Sequence, residues 1–176
     1  MVIQNVKVEW VDIINPNQMS GKYSTDFYFQ DKDAEAKFVD LIEAAWEEHK
    51  GSFKGDPQSL GYSIKEDGVL KFKATQAPQS NDGKYTFTVA AYDSKAKEID
   101  PKPSIGNGSI CNLDVELYPY TFKNKKGVKL NLRAIQVLNL VEFNGQGNNF
   151  QAQDDGYEAA PSNAFQDTTS NPQVVI

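Results

Sequence analysis

The chain has 176 residues, of which 39% are hydrophobic and 24% charged, with a net charge of −6 and one cysteine. That length suits one domain with a real core rather than two, and the composition is that of a soluble globular protein. No run approaches the roughly 20 apolar residues of a membrane helix, an internal disulfide is excluded, and the acidity argues against promiscuous affinity for DNA.

The opening Met1-Val2-Ile3-Gln4-Asn5 has no basic segment followed by an apolar one, so a secretory signal is not expected and the cytoplasm is the expected setting. Residues 2–13 alternate as a strand with Val6, Val8 and Trp10 on one face, and Asn15-Pro16-Asn17 breaks it. A second strand, Lys22 to Gln30, places Tyr23, Phe27 and Phe29 inward and Lys22, Ser24, Asp26 and Tyr28 outward. The period then changes to that of a helix over about Asp33 to Lys50, whose inner side carries Ala34, Phe38, Leu41, Ile42, Ala45 and Trp46. Acids crowd its first turn, His49 and Lys50 close it, and Gly51 is a natural stop.

Residues 51–68 read as a loop. Strands resume over Val69–Gln76, with Leu70, Phe72 and Ala74 inward and Lys71 and Lys73 outward. After the turn Asn81-Asp82-Gly83, a strand is expected over Lys84–Tyr92 with Tyr85, Phe87, Val89 and Ala91 inward. Residues 93–108 form a long basic connection, and a connection of that length is uncommon unless functional or disordered.

The last two strands are the most informative part. SICNLDVELYPYTFKNKKGVKLNLRAIQVLNLVEF reads as a hairpin turning at Asn124-Lys125-Lys126-Gly127, where glycine can adopt a positive φ. Counting outward from Lys123 opposite Val128 sets Phe122 against Lys129, Tyr120 against Asn131 and Tyr118 against Arg133. That face mixes rings with cations, while Cys111, Leu113, Val115 and Leu117 share the apolar face with Leu130, Leu132 and Ala134. Rings stack on bases and cations track phosphates, so such a face suits single-stranded nucleic acid. Residues 144–176 carry no basic residue and read as a disordered, mildly acidic tail containing Asp154, Asp155, Glu158 and Asp167. All 18 bases therefore face 20 acids within residues 1–143, and the body is near neutral.

The fold expected is mainly β: an antiparallel barrel like an OB-fold, six strands with one interposed helix over residues 1–143, a two-sheet sandwich being the alternative. The passages VEWVDIINPN, GKYSTDFYFQDKDAEAKF and IGNGSICNLDVELYPYTFKNKKGVKLNLRAIQVLN resemble the phage single-stranded DNA-binding proteins of the T7 gene-2.5-like group. The resemblance implies an OB-fold that coats single-stranded DNA in phage replication, recombination and repair. Proteins of that group end in a strongly acidic tail with a terminal aromatic residue, whereas this chain ends Pro172-Gln173-Val174-Val175-Ile176.

The DNA-binding residues expected on these grounds are Tyr28, Lys71, Lys73, Tyr118, Tyr120, Phe122, Lys129 and Arg133, with Lys84, Lys95, Lys97 and Lys102 as further cations. Aromatics favour strands in any case, and a single lysine is ordinarily a solvated surface residue. Only the common outward direction and the resemblance set these apart. Trp10 and Trp46 read as core, and Cys111 as a small buried hydrophobe. The sole histidine leaves no triad and no His/Cys metal cluster, so neither an enzyme nor a cofactor is expected. The expected partners are single-stranded DNA and, through the tail, replication or recombination proteins, with a homo-oligomer left open. A protein-interaction β-module such as a virion component, using the same aromatic and basic face, is the alternative. A carbohydrate-binding sandwich is a weaker third reading.

Overall fold

A computed structural model describes residues 1–51, 55–122 and 125–143. Residues 1–145 cluster as one compact unit. The tail expected over 144–176 and the start of the expected turn, Lys123 and Asn124, lie outside the described residues.

The described strands are β1 (Val2–Asp12), β2 (Tyr23–Phe29), β3 (Tyr62–Ile64), β4 (Leu70–Gln76), β5 (Ala90–Tyr92), β6 (Ile110–Phe122) and β7 (Lys125–Asn139), with helix α1 (Lys32–Lys50) between β2 and β3. β1 pairs antiparallel with β2 and β6, β2 with β4, and β6 with β7. A short parallel contact, Ala74 to Leu130 and Thr75 to Asn131, joins β4 to β7. The order β1-β2-β4-β7-β6 thereby closes on itself as a five-stranded barrel, with β3 and β5 added at its margins. This is the OB-like architecture the alternation suggested, but it is not a pure antiparallel meander: both β4 and β5 run parallel to β7.

The core follows from the alternation. Val6 and Val8 of β1, Phe27 of β2, Phe72 and Ala74 of β4, Leu113 and Val115 of β6, and Leu130 and Leu132 of β7 are fully buried. Helix α1 begins at the Asp31 cap, whose side chain accepts from the Asp33 N–H, and buries Phe38, Ile42 and Trp46. Phe38 joins Phe27, Phe29 and Phe72 in one ring cluster, with Phe72 5.3 Å from both Phe27 and Phe29 and 5.5 Å from Phe38. The helix therefore stops one end of the barrel. Leu41, expected on its inner side, is exposed. Cys111 is buried, and burial pushes its thiol up to about 12.

Several local expectations are corrected. Trp10 is 68% exposed instead of core. The β1–β2 register gains a residue between Glu9 and Asp12, and Trp10 takes a left-handed φ of 52°, so the side chain leaves the inward series and Ile13 enters the core in its place. The span 51–68 is not only a loop, since Tyr62–Ile64 form β3 against β4. The strand expected over Lys84–Tyr92 shrinks to Ala90–Tyr92, held by β7. Tyr85 and Phe87 are exposed, because the segment before Val89 makes only an isolated bridge between Gln79 and Thr86. On β2, Ser24 and Asp26 are buried although they alternate with the inward rings.

The hairpin register differs too. Tyr118 pairs with Lys129, Tyr120 with Gly127 and Phe122 with Lys125, so Lys125, Lys126 and Gly127 belong to β7 rather than to a turn. Gly127 is needed for another reason. A Cβ there would collide with the carbonyl oxygen of Ser59, because the stretch Gln58–Ser59 lies alongside the start of β7 and bonds to it through Gln58 N–H to Lys126 O and Val128 N–H to Ser59 O.

Candidate nucleic-acid interface

A groove of about 560 Å³ runs along the closure of the barrel, where β4 meets β7. β6 contributes Tyr118 and Tyr120, β7 contributes Lys129, β4 contributes Lys71 and Lys73, and Lys22 enters just ahead of β2. Ser59, Gly61 and Tyr62 form one wall, and Val128 and Leu130 supply apolar floor. Gly61 adopts a φ of +78°, and a Cβ on it would lie 2.8 Å from the Leu130 side chain, so the wall can approach β7 only without one.

The strand alternation puts these side chains on the outer surface, and barrel closure makes them neighbours. On β6 the inward series Cys111, Leu113, Val115 leaves Tyr118 and Tyr120 outward after it, and Tyr118 is 54% exposed. On β4 the buried Phe72 and Ala74 alternate with Lys71 and Lys73. The parallel β4–β7 contact then brings the lysines of β4 to the same groove as Lys129 and the two tyrosines.

The electrostatics are uneven. Lys129 is half-buried, and its ammonium is held below the ordinary lysine range, first by burial and second by repulsion from Lys22. Two cations forced together in a partly desolvated groove make a seat for an anion. The buried carboxylate of Asp26 lies 3.2 Å from the Lys71 ammonium and 3.6 Å from that of Lys73. It holds both lysines over the groove and offsets part of their charge.

The remaining expected residues are placed elsewhere. Phe122 is exposed on β6 beyond Tyr120, but it does not line the groove. Arg133 reaches Glu116 at 3.3 Å and lines a separate depression with Asp114. Tyr28 pairs across the sheet with Lys7 and donates its hydroxyl to Glu9 at 3.1 Å. Burial, and then Glu9, push that phenol up to about 12. The ammoniums of Lys65 and Lys7 lie 5.4 and 5.9 Å from its ring centre. Lys84 pairs with Asp82 at 3.5 Å, and Lys95 and Lys97 belong to a turn whose N–H groups bind Asp93. Lys102 donates to the carbonyl of Ile13 at 3.3 Å.

Lys22, Gly61 and Tyr62 line the groove but escaped the sequence reading. Lys22 carried a usable signal, since alternation already placed it outward on β2. Gly61 and Tyr62 carried none, because their stretch has no period from which β3 could be read. Among the described residues, no group of three or more His, Cys, Asp or Glu could hold a metal ion, and no helix is long and apolar enough to cross a membrane.

A family model described as Enterobacter phage Enc34, ssDNA-binding protein, matches residues 1–166. A single-stranded DNA-binding protein of Enterobacteria phage T3 is 34% identical over 106 residues, covering 56% of this chain and 46% of that protein. The corresponding protein of Escherichia phage T7 is 31% identical over 100 residues, covering 53% and 43%. The chain spans about half the length of the curated relatives it matches. Among solved structures, gp2.5, a single-stranded DNA-binding protein encoded by bacteriophage T7, superposes with a TM-score of 0.64 at 21% identity, covering 87% of this chain and 97% of that one. The bacteriophage Enc34 single-stranded DNA-binding protein in complex with ssDNA gives 0.60 at 16% identity, covering 82% and 88%. These two likenesses show a shared fold. With the family model matching residues 1–166, the chain belongs to the family of the Enterobacter phage Enc34 ssDNA-binding protein.

Proposed function

We propose that the chain is a non-enzymatic, sequence-independent single-stranded DNA-binding protein. It coats and protects single strands during phage replication, recombination and repair in the host cytoplasm. The observation that carries this reading is the groove in which Tyr118 and Tyr120 stand among Lys22, Lys71, Lys73 and Lys129. The family membership and the name of its Enc34 relative support it.

The chemistry is simple. Each base laid on a tyrosine ring gains about 1–3 kcal/mol from stacking, and every base has such a face, so stacking does not select sequence. Lysine is a compact point charge that neutralises phosphate without reading base edges. Phe122 extends the ring series past the groove, while Tyr28 and Arg133 serve a longer strand passing over the barrel. Residues 1–143 are the binding domain in this reading, and residues 144–176 recruit replication or recombination proteins.

Fluorescence anisotropy of a labelled oligo-dT tests the proposal at two salt concentrations, with wild type and the Tyr118→Ala/Tyr120→Ala double variant. Tight binding by wild type that weakens with salt and collapses in the variant supports it. Binding that ignores salt, or no binding at low salt, removes it in favour of a protein-interaction module.

A further inference from the structure

A second groove, of about 900 Å³, lies beside the first and contains the most exposed large ring of the described barrel, Trp10. Its walls come from the β1–β2 connection, residues 13–20, and from residues 103–107, which lead into β6. Lys73 lines both grooves.

The backbone takes trouble to present Trp10. Had β1 continued its alternation past Val6 and Val8, this ring would be in the core. Instead an extra residue between Glu9 and Asp12 and a left-handed φ of 52° turn it outward. A left-handed conformation at a bulky residue is a genuine outlier that surrounding contacts must hold. Here the hold is the Asn107 side chain, whose Oδ1 accepts from the Trp10 N–H at 2.8 Å, while Gly108 and Ser109 bracket Val8 with backbone bonds. The backbone that carries the ring outward is thus held before any partner arrives. Ordering the backbone at a contact in advance lowers the entropy lost on binding.

We infer that Trp10 is a second stacking station on the same single strand, reached by the DNA past Lys73; this rests on the reading of the first groove. Charge distinguishes the occupant. The Asp12 carboxylate lines the groove, and Asp26 there already offsets Lys71 and Lys73, so the interior suits the uncharged face of a base better than a phosphate. The cations stand at its borders: Lys73 where the grooves meet, and Lys102 anchored on the Ile13 carbonyl. A strand with its phosphates along Lys73 and Lys102 and a base turned onto Trp10 satisfies both conditions. Asn15 and Gln18 add amides that can serve any base edge.

The two tryptophans make the test direct, because Trp46 is buried and Trp10 is exposed. Oligo-dT long enough to span both grooves is titrated into the full chain, following label anisotropy and tryptophan emission together. The inference expects emission to be quenched in step with binding, and that quenching to be lost in Trp10→Phe, whose smaller ring keeps part of the stack and binds a few-fold more weakly than wild type. Trp10→Ala should bind about tenfold more weakly. Wild-type binding by anisotropy with unquenched emission and an unaffected Trp10→Ala overturns the second station and leaves the first groove standing. Absence of anisotropy binding by wild type takes both readings down together.

Discussion

Tyr118 stands directly across the β6–β7 ladder from Lys129, and Lys129 in turn feels the charge of Lys22. One ring and two cations thus form the centre of the groove. Replacing Tyr118 with Ala should weaken oligo-dT binding by about 1–3 kcal/mol in anisotropy titrations. Stability should change by less than about 0.5 kcal/mol in urea melts, because the ring is exposed and its loss opens no cavity.

Lys129 gives a pH signature. In the free protein its ammonium titrates below 10.5 because burial and Lys22 oppose its charge. A bound phosphate favours that charge, so binding takes up protons at alkaline pH and affinity falls as pH rises towards 10.5. For folding without DNA the sign is opposite. The unfolded chain holds the proton more tightly, so the penalty is full below the lowered value and fades as pH rises through it. Lys129→Arg, which stays charged, should flatten the alkaline arm of the binding curve. Lys129→Ala should reduce the salt slope of log K by about 0.7.

Asp26 restrains its own lysines. Asp26→Asn should tighten DNA binding several-fold and steepen the salt dependence, since Lys71 and Lys73 lose the carboxylate that offsets them. The loss of folding stability should be modest, about 1 kcal/mol, because the lysines left behind are partly solvated. Weaker binding at unchanged stability would show instead that the carboxylate acts mainly by aiming the lysines.

The contact of Gly127 with Ser59 is a steric one. Gly127→Ala places a methyl group on the Ser59 carbonyl and forces apart β7 and the wall of the groove. A loss of about 2–3 kcal/mol is expected in urea melts. DNA affinity should drop as well, since the wall and the groove move together.

Phe72 tests the reverse case. It is fully buried among Phe27, Phe29, Phe38 and Tyr62, so Phe72→Ala should cost about 3–5 kcal/mol of stability. Under conditions where the variant stays folded, affinity should be reduced far less than by Tyr118→Ala. Calorimetry paired with anisotropy separates the two effects.

The helix, most of the strands and the lysine and tyrosine faces were legible because each depends on a local period. Side chains alternate along a strand whatever its partner, so Tyr118 and Tyr120 on one side and Leu113 and Val115 on the other could be read from β6 alone. Over Val115–Phe122 the hairpin register was misjudged by four residues, yet the faces survived there, because an even slip returns a side chain to its own side of the sheet. Past the bulge between Asp114 and Val115 the slip is odd, and Ile135 is buried where Ala134 was expected. The Gly127 signal misled for a comparable reason. A glycine that admits a turn and one that admits a neighbouring backbone look the same in one dimension.

What only the tertiary structure decided is who meets whom. The parallel contact of β4 with β7 joins segments more than fifty residues apart and makes one groove of Lys71, Lys73, Lys129 and Tyr118. The bulge at Trp10 depends on Asn107, almost a hundred residues later in the chain, and moves a ring that alternation assigns to the core onto the surface. Hydrophobic period is a property of neighbouring residues and is written along the chain. Closure and register are settled by backbone hydrogen bonds between distant segments, whose donors and acceptors are the same at almost every residue and so leave little trace in the sequence.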